Sequence, residues 1–174
     1  DKVIHLAGIS FVGHSNISEI YNVNLIGTRN LLEALDSSGR SIEKIILAST
    51  ANVYGRVDNI LIDENQVLNP INDYAISKAS MELLVNLWRD RLPIILARPF
   101  NYTGLGQSKN FLIPKIISHF QNKKKSIKLG NLEIYRDFSD VRDIAEIYSE
   151  LIDIGEEGEI YNICSGKLNS IKDC

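Results

Sequence analysis

The sequence contains very little cysteine, since only Cys164 and Cys174 occur among its 174 residues. Small secreted domains commonly depend on several disulfides, and two cysteines cannot provide such a framework. A low cysteine content is typical of proteins that work in a reducing environment. We therefore expect a cytoplasmic protein that is held together by a packed core, for which the chain is long enough.

The sequence also lacks a long apolar run and a marked excess of charge of either sign. No stretch approaches the roughly 20 apolar residues of a membrane-spanning helix, so we expect no membrane insertion. With 19 Lys and Arg residues and 22 Asp and Glu residues, the net charge is −3. This charge gives no electrostatic attraction to nucleic acid or to an anionic membrane. The lysines at 123–125 are interpreted as a solvated helix end.

Three short runs rich in Val, Ile and Leu are the main feature that the sequence does contain. They cover 2–8, 43–50 and 92–100, and they lack the alternation of a strand that has one wet face. Helical patterns over 18–38 and 73–90 separate them. Strands that alternate with helices in this way predict an α/β fold, a Rossmann-like doubly wound parallel sheet.

Both predicted helices carry apolar residues on more than one face, which indicates burial on two sides. Ser18 is the predicted N-cap of the first helix, and Gly39 ends it. In the second helix, Ile76, Leu83 and Leu87 belong to one apolar stripe, while another stripe follows a different face. The additional apolar surface fits either a homodimer through these two helices or a covering loop.

Beyond residue 100 the apolar pattern becomes less regular. The predicted elements are a polar loop, a helix, a short strand, a helix and a returning strand, at 101–110, 111–122, 126–130, 141–155 and 159–164. We expect residues 1–100 to form part of a dinucleotide-binding domain and residues 101–174 to be mainly substrate-binding sequence. The first βαβ units and their glycine-rich turn are absent from the sequence, so we expect the chain to be part of a longer protein.

The predicted strands end in small or polar residues, and ligands of open α/β sheets bind at these ends. Ala7 and Gly8 follow the first strand and leave room for a flat ring. Thr50 follows the second strand and offers a hydroxyl, and Asn101 follows the third and offers an amide. Taken together, these residues predict a binding site at this edge of the sheet.

Tyr74 and Lys78 are separated by one helical turn near the start of the second predicted helix. An unperturbed phenol has a pKa of about 10, and a nearby ammonium or the positive end of a helix dipole favours the phenolate. The pair is therefore interpreted as a phenol tuned for acid–base catalysis. Taken alone, the spacing fits a surface pair equally well.

A strand-end hydroxyl in "STANVYG", then "YAISK", then "RPFN" form an ordered set of motifs. This set resembles the extended short-chain dehydrogenase/reductase family, which comprises NAD(P)-dependent nucleotide-sugar epimerases, dehydratases and reductases. The resemblance extends over nearly the whole chain. It implies that NAD or NADP is the cofactor and that a nucleotide sugar is the substrate.

The same resemblance implies roles for individual residues. The catalytic residues are Thr50, Tyr74 and Lys78. The residues that contact the cofactor are Ala7, Gly8, Tyr74, Lys78, Pro99 and Phe100. The residues that contact the substrate are Thr50, Asn101, Asn110 and Arg136. In addition, Asn24 corresponds to a residue that supports the backbone of the active site.

The segments "RPFNYTGLGQS", "KLGNLEIYRDFSDVRD" and "YNICSGK" are similar to those of GDP-4-keto-6-deoxymannose reductases and relatives around GDP-mannose 4,6-dehydratase. The dehydratases carry an acidic residue two positions after the catalytic threonine, where this sequence has Asn52. An amide cannot replace that acid, so we expect reduction of a 4-keto group in a GDP-4-keto-6-deoxyhexose rather than dehydration.

Two alternatives stay open. The first is a nucleotide-sugar 4-epimerase that uses the same three catalytic residues and retains its cofactor. The second is an inactive or purely binding fragment, because the glycine-rich cofactor turn is missing. We expect no metal site: Asp137, Asp140 and Asp143 fit a sugar-binding segment better, and His5 and His119 are interpreted as structural.

Overall fold

The computed structural model describes residues 1–57 and 61–172 of the chain. The larger sheet has the order β1-β2-β3-β6, and all neighbouring strands are parallel. Its strands are β1 (Lys2–His5), β2 (Lys44–Ala48), β3 (Ile94–Pro99) and β6 (Ile160–Ile163). The helices are α1 (Ile17–Tyr21), a π-helical turn (Asn22–Gly27), α2 (Thr28–Ser37), a 3₁₀ turn (Ala51–Tyr54), α3 (Asp73–Val85), α4 (Leu112–Gln121) and α5 (Val141–Ile154).

Both faces of the larger sheet are covered by helices. Ile45 and Leu47 face one way and belong to a core that includes Met81 of α3. Ile46, between them, faces the other way and packs in a core that includes Ile144 of α5. Each of these strand side chains is fully buried. The apolar runs are unbroken because these strands are buried on both faces, as the sequence indicated. The Rossmann-like parallel α/β fold is confirmed.

A smaller sheet consists of β4 (Asn101–Thr103), β5 (Tyr135–Asp140) and β7 (Leu168–Ser170), in the order β4-β5-β7. The sequence predicted a strand at 126–130, and this prediction is wrong. The strand lies at 135–140 instead, because that segment pairs with β4 on one side and with β7 on the other. The β4 segment was predicted to be loop and no strand was predicted at β7, so the sequence offered no pairing for β5.

The ends of two helices differ from the predictions. Asn16, and not Ser18, caps α1, since its Oδ1 accepts a hydrogen bond from the Glu19 amide at 3.3 Å. Helix α3 ends at Val85, five residues before the predicted end at 90. The chain beyond it makes tight turns, in which the Trp88 amide donates to the Val85 carbonyl at 2.9 Å.

Helices α4 and α5 lie where the sequence predicted them, and β6 returns to the larger sheet beside β3. The C-terminal part of the chain thus contributes one strand to the parallel sheet and also forms β5 and β7. The division of the chain into residues 1–100 and 101–174 as separate domains stays a prediction.

Candidate active site

A cleft of about 850 Å³ opens at the carboxyl ends of β1, β2 and β3. Most of the site residues expected from the sequence line it, namely Gly8, Thr50, Tyr74, Lys78, Pro99, Phe100, Asn101 and Arg136. Ala7 and Asn110 are exposed and lie outside the lining. The Asn110 amide instead donates to the Ser108 hydroxyl at 3.3 Å, in the turn before α4.

Helix α3 supplies three ionisable side chains in one row along its axis. Asn72 caps this helix by accepting a hydrogen bond from the Ala75 amide at 2.9 Å, which fixes where the helix begins. Tyr74, Lys78 and Glu82 follow at intervals of one turn, so they share a face. All three are buried, with 7%, 5% and 5% of their surface exposed.

The end of β2 lies directly against this row. Lys78 Nζ donates a hydrogen bond to the Ala48 carbonyl at 2.7 Å. The next residue, Ser49, donates its hydroxyl proton to the Glu82 carboxylate. The strand end is therefore held at two consecutive residues by side chains of α3, and this contact determines where Thr50 lies.

Thr50 begins the 3₁₀ turn and connects it to the phenol of α3. Its Oγ1 accepts hydrogen bonds from the Asn52 amide at 3.2 Å and from Asn52 Nδ2 at 3.0 Å. The Thr50 hydroxyl also lies beside the Tyr74 phenol and lowers its pKa. The threonine and the tyrosine that the sequence placed 24 positions apart are therefore neighbours in the cleft.

Burial dominates the electrostatics of the site. It raises the pKa of Tyr74 above its ordinary value, and the neighbouring Thr50 hydroxyl opposes this rise only in part. Burial also lowers the pKa of Lys78 to about 8, against the opposing effect of Glu82. The sequence predicted a lowered phenol pKa, which is wrong for this structure. The prediction considered charge alone and had no measure of how deeply the phenol is buried.

Asn24 braces the loop that follows β1. Its Oδ1 accepts from the Ile9 amide at 2.8 Å, and its Nδ2 donates to the Ile9 carbonyl and to Ser77 Oγ, both at 3.0 Å. A Cβ atom at Gly8 would lie 3.1 Å from Asn24 Oδ1 and 3.3 Å from Lys78 Nζ. The absence of a side chain at Gly8 therefore leaves this corner of the cleft open beside the ammonium.

A buried ion pair behind the strand end was not predicted from the sequence. Arg98 Nη2 and Nε donate to the Glu82 carboxylate at 2.6 and 3.0 Å. Arg98 Nη1 also donates to Tyr54 Oη at 2.9 Å, and Tyr54 donates to Asn162 Oδ1 at 2.7 Å. Two features of the sequence could have indicated this pair. Glu82 follows Lys78 by one helical turn, and Arg98 lies inside an apolar strand.

The other wall of the cleft comes from β4, β5 and the chain that follows β4. Asn101 Nδ2 donates to the Asp137 carbonyl at 3.1 Å, while the exposed Arg136 donates from Nη1 to the Tyr135 carbonyl at 2.8 Å. Tyr102 and Gln107 also line the cleft, and neither was predicted. The only sign in the sequence that these two residues line the cleft was their position in a polar, Gly-containing segment.

Two further observations describe the part of the chain at 1–57 and 61–172. No group of three His, Cys, Asp or Glu side chains there is arranged to hold a metal ion. No helix in the same residues is both long enough and apolar enough to cross a membrane.

The family model described as GDP-mannose 4,6 dehydratase matches residues 1–174. The chain belongs to that family. Membership in the GDP-mannose 4,6 dehydratase family confirms the resemblance to NAD(P)-dependent nucleotide-sugar enzymes on which the site predictions depend.

Two curated relatives act on GDP sugars by their names. The GDP-6-deoxy-D-talose 4-dehydrogenase of Aggregatibacter actinomycetemcomitans is 42% identical over 166 residues, which is 95% of this chain and 56% of the relative. The GDP-6-deoxy-D-mannose reductase of Pseudomonas aeruginosa is 35% identical and matches 99% of this chain and 60% of its own length. The chain thus spans little more than half the length of these relatives.

Solved structures agree with this assignment. The structure of RMD from Pseudomonas aeruginosa complexed with NADPH superposes with a TM-score of 0.91 at 35% identity, and it matches 99% of this chain and 63% of that one. UDP-glucuronic acid 4-epimerase from Bacillus cereus, in complex with UDP-glucuronic acid and NAD, gives a TM-score of 0.90 at 26% identity, with 99% and 56% matched. The fold is therefore shared with an NADPH complex and with a nucleotide-sugar 4-epimerase.

Proposed function

We propose that this protein is an NAD(P)-dependent nucleotide-sugar oxidoreductase that reduces the 4-keto group of a GDP-4-keto-6-deoxyhexose. The observation that carries the proposal is the convergence of Thr50, Tyr74 and Lys78 on one wall of the cleft. Two relatives that are named for GDP-6-deoxy sugars support the choice of substrate, and one of them is named for chemistry at C4.

Tyr74 is the proposed general acid. Because its pKa is raised by burial, the phenol holds its proton at neutral pH and has it available for an oxygen that becomes basic. A bound nicotinamide supplies the hydride. As negative charge develops on the sugar oxygen at C4, the Thr50 hydroxyl donates a hydrogen bond to it and Tyr74 transfers its proton. The phenolate that remains is stabilised by the ammonium of Lys78, one helical turn away.

The cofactor is proposed to lie along the β1 and β3 side of the cleft. An ammonium has three donor positions, and Lys78 Nζ uses one of them for the Ala48 carbonyl. Ribose hydroxyls suit the other positions, and Gly8 leaves the space beside Nζ open. Pro99 and Phe100 supply apolar surface for a flat ring. Ala7 follows β1 close by in sequence and completes the proposed cofactor set.

The sugar nucleotide is proposed to occupy the opposite side. Asn101 and Arg136 line that wall, and the planar fork of an arginine pairs well with diphosphate oxygens. Arg136 is exposed, so its guanidinium can turn toward a ligand. Asn110 lies outside the cleft lining and is proposed to contact the nucleotide only if α4 moves toward it.

The test uses the full-length protein, a GDP-4-keto-6-deoxymannose substrate and either NADPH or NADH. We expect net loss of the absorbance of the reduced nicotinamide and formation of a 4-hydroxy sugar, whose configuration at C4 is read by NMR. Tyr74→Phe should lower kcat by about 100-fold or more, since one general acid is worth roughly 10²–10⁴-fold. Unchanged turnover in Tyr74→Phe would remove Tyr74 from the mechanism.

A 4-epimerase is the second candidate, because the epimerase structure from Bacillus cereus matches this chain as well as the NADPH complex does by TM-score. The same three residues serve both reactions, since an epimerase removes a hydride and returns it to the other face. Interconversion of two GDP sugars without net consumption of added cofactor would favour this candidate over the reductase.

Dehydration fits the cleft less well. Asn52 occupies the position where the dehydratases carry an acid, and its amide, which is hydrogen-bonded to Thr50, cannot act as that acid or base. A binding protein without catalysis is a further alternative. Extending the coding sequence upstream of Asp1 tests this last alternative, because a strand followed by a glycine-rich turn and a helix would complete a dinucleotide site.

We also propose that the protein forms a homodimer through the helices at 18–38 and 73–90. Helix α3 exposes 67% of Leu83, and Leu87 just beyond it exposes 64%. Replacing either one by Glu should convert a dimer to a monomer in size-exclusion chromatography with light scattering. Leu61→Glu is the matched control, because Leu61 is 86% exposed and lies outside these helices.

The proposed compartment is the cytoplasm. The low cysteine content supports it, as does the reduced cofactor that the reaction requires. Cell fractionation of the full-length protein tests this placement.

A further inference from the structure

Thr50 carries the hydroxyl closest to the proposed chemistry, and the direction in which this hydroxyl donates is fixed by its neighbour. A hydroxyl oxygen has two lone pairs and one proton. In this structure the Asn52 amide and Asn52 Nδ2 both donate to Thr50 Oγ1, at 3.2 and 3.0 Å. Both acceptor positions are therefore occupied by the same residue, and the only group that Thr50 has left to offer is its proton.

The proton of the Thr50 hydroxyl is available to a group in the cleft, where the proposed reaction takes place. The Thr50 hydroxyl lies beside the Tyr74 phenol and lowers its pKa, as expected of a donor that stabilises a phenolate. Both residues line the cleft, and Thr50 is only 4% exposed, so bulk water has little access to reorient its proton.

We propose that Asn52 is a positioning residue that makes Thr50 an obligate hydrogen-bond donor toward the oxygen that is being reduced. The inference rests on the proposed function for the identity of that oxygen. A ketone oxygen has no proton and can only accept, so a hydroxyl whose lone pairs are already occupied is matched to it. The same donor strengthens its bond as the oxygen becomes an alkoxide.

A carboxylate at position 52 would change the direction in which the Thr50 hydroxyl donates its hydrogen bond. Asn52 also lines the cleft, and the side chain introduced by Asn52→Asp has no Nδ2 donor and accepts strongly, so the Thr50 proton would turn toward this carboxylate and away from the sugar oxygen. We expect kcat/KM for the 4-keto sugar to fall by roughly 10–100-fold, the loss of one hydrogen bond to a developing oxyanion. Asn52→Ala should cost less, because the backbone amide of residue 52 still donates to Thr50 Oγ1 and no competing acceptor is introduced.

A double-mutant cycle separates this role from a structural one. In a Thr50→Val background the hydroxyl is gone, so adding Asn52→Asp should cost less than about 3-fold. If Asn52→Asp costs the full effect, roughly 10–100-fold, with and without the hydroxyl, Asn52 does not act through Thr50 and the proposal is overturned. Asn131→Asp is the charge control, because Asn131 is exposed outside the cleft and its oxygen accepts from the Glu133 amide in either form.

A second readout is independent of activity. In full-length protein with ¹³C-labelled tyrosine, NMR titration should show a higher Tyr74 pKa in Asn52→Asp than in wild type. Asn52→Asp should also raise the Tyr74 pKa in the Thr50→Val background, where only the added charge acts on the phenol. The increase in the presence of the Thr50 hydroxyl should be the larger of the two. Equal increases would also overturn the proposal. A wild-type protein that reduces no 4-keto sugar would instead contradict the proposed function and leave this titration decisive for Asn52.

Discussion

Glu82 and Arg98 form a buried ion pair directly behind the strand end that carries Thr50. Two nitrogens of the guanidinium reach the carboxylate, at 2.6 and 3.0 Å, and both side chains are 4% exposed. Glu82 also accepts a hydrogen bond from Ser49, and its charge partly offsets the lowering of the Lys78 pKa by burial. The ion pair therefore couples the core to the site.

Glu82→Gln should therefore be strongly destabilising. Removing one member of a buried pair leaves the other charge uncompensated, at a cost of roughly 3–5 kcal/mol. Urea unfolding monitored by the fluorescence of the single tryptophan measures this cost. Glu33→Gln is the matched control: it breaks the exposed Arg29–Glu33 pair and should cost no more than about 0.5 kcal/mol. Similar costs for the two variants would contradict the assigned role of burial.

Lys78→Met should change how stability depends on pH. The folded-state pKa of Lys78 is about 8, below the ordinary 10.5, so the folded chain must release a proton that the unfolded chain retains between these values. Stability therefore rises with pH from about 8 to 10.5 through this group. At pH 7 the buried charge costs up to about 3 kcal/mol, taking about 1.4 kcal/mol per pH unit over the interval.

The expected result is that Lys78→Met is more stable than wild type at about pH 7 and loses most of this advantage as the pH rises from about 8 to 10.5, while its activity is abolished. Denaturant unfolding at a series of pH values measures the difference. Lys124→Met, at an exposed position, should show no such pH-dependent difference. A gain for Lys78→Met that is constant with pH would mean that the packed methionine, and not the removed charge, stabilises the protein.

Gly55→Ala should destabilise the protein far more than Gly39→Ala. Both glycines have positive φ, +69° and +65°, so alanine is strained at both, and Gly55 also has a ψ of −131°, outside the left-handed helical region. Only at Gly55 would the new Cβ collide with backbone, 1.9 Å from the Asn69 carbonyl oxygen, whereas nothing lies within 4 Å at Gly39. The stabilities of the two variants in thermal unfolding should differ by more than about 2 kcal/mol, and equal shifts would place the whole cost in the φ angle.

Asp137→Asn should loosen the chain after β6. The buried Asp137 carboxylate accepts from the Ser165 amide at 3.0 Å, the Ser165 hydroxyl at 3.0 Å and the Lys167 amide at 3.1 Å. An amide side chain has one acceptor oxygen, so at least one of these bonds is lost at a cost of about 1–3 kcal/mol. Hydrogen exchange should become faster at Ser165 and Lys167, while the Ile46 amide in the core of the sheet serves as the internal reference.

The parallel sheet could be predicted because runs such as 43–50 are apolar on both strand faces, which only burial on both sides explains. The three-residue strands β4 and β7 could not, since they are too short to show a period and depend on pairing with β5. Of the site, Thr50, Tyr74 and Lys78 were predicted from motif order. Their environment was not.

The sign of the Tyr74 pKa shift required a knowledge of burial, which outweighs the neighbouring charges. The Glu82–Arg98 pair joins a helix to a strand 16 positions away, and no local pattern indicates which arginine a buried glutamate will meet. The two hydrogen bonds from Asn52 to Thr50 arise from the geometry of the 3₁₀ turn. The sequence therefore showed which residues are present, but not which of them donates and which accepts.

The π-helical turn at Asn22–Gly27 accommodates one residue more than an α-helical turn would. Asn24 lies within this widened turn, and its contacts with Ile9 and Ser77 depend on how many residues the turn contains as well as on the amide itself. Deleting a single residue here would rotate the amide by about 100° about the helix axis, a consequence of about 3.6 residues per turn. Length at this point is therefore as restrictive as chemical identity.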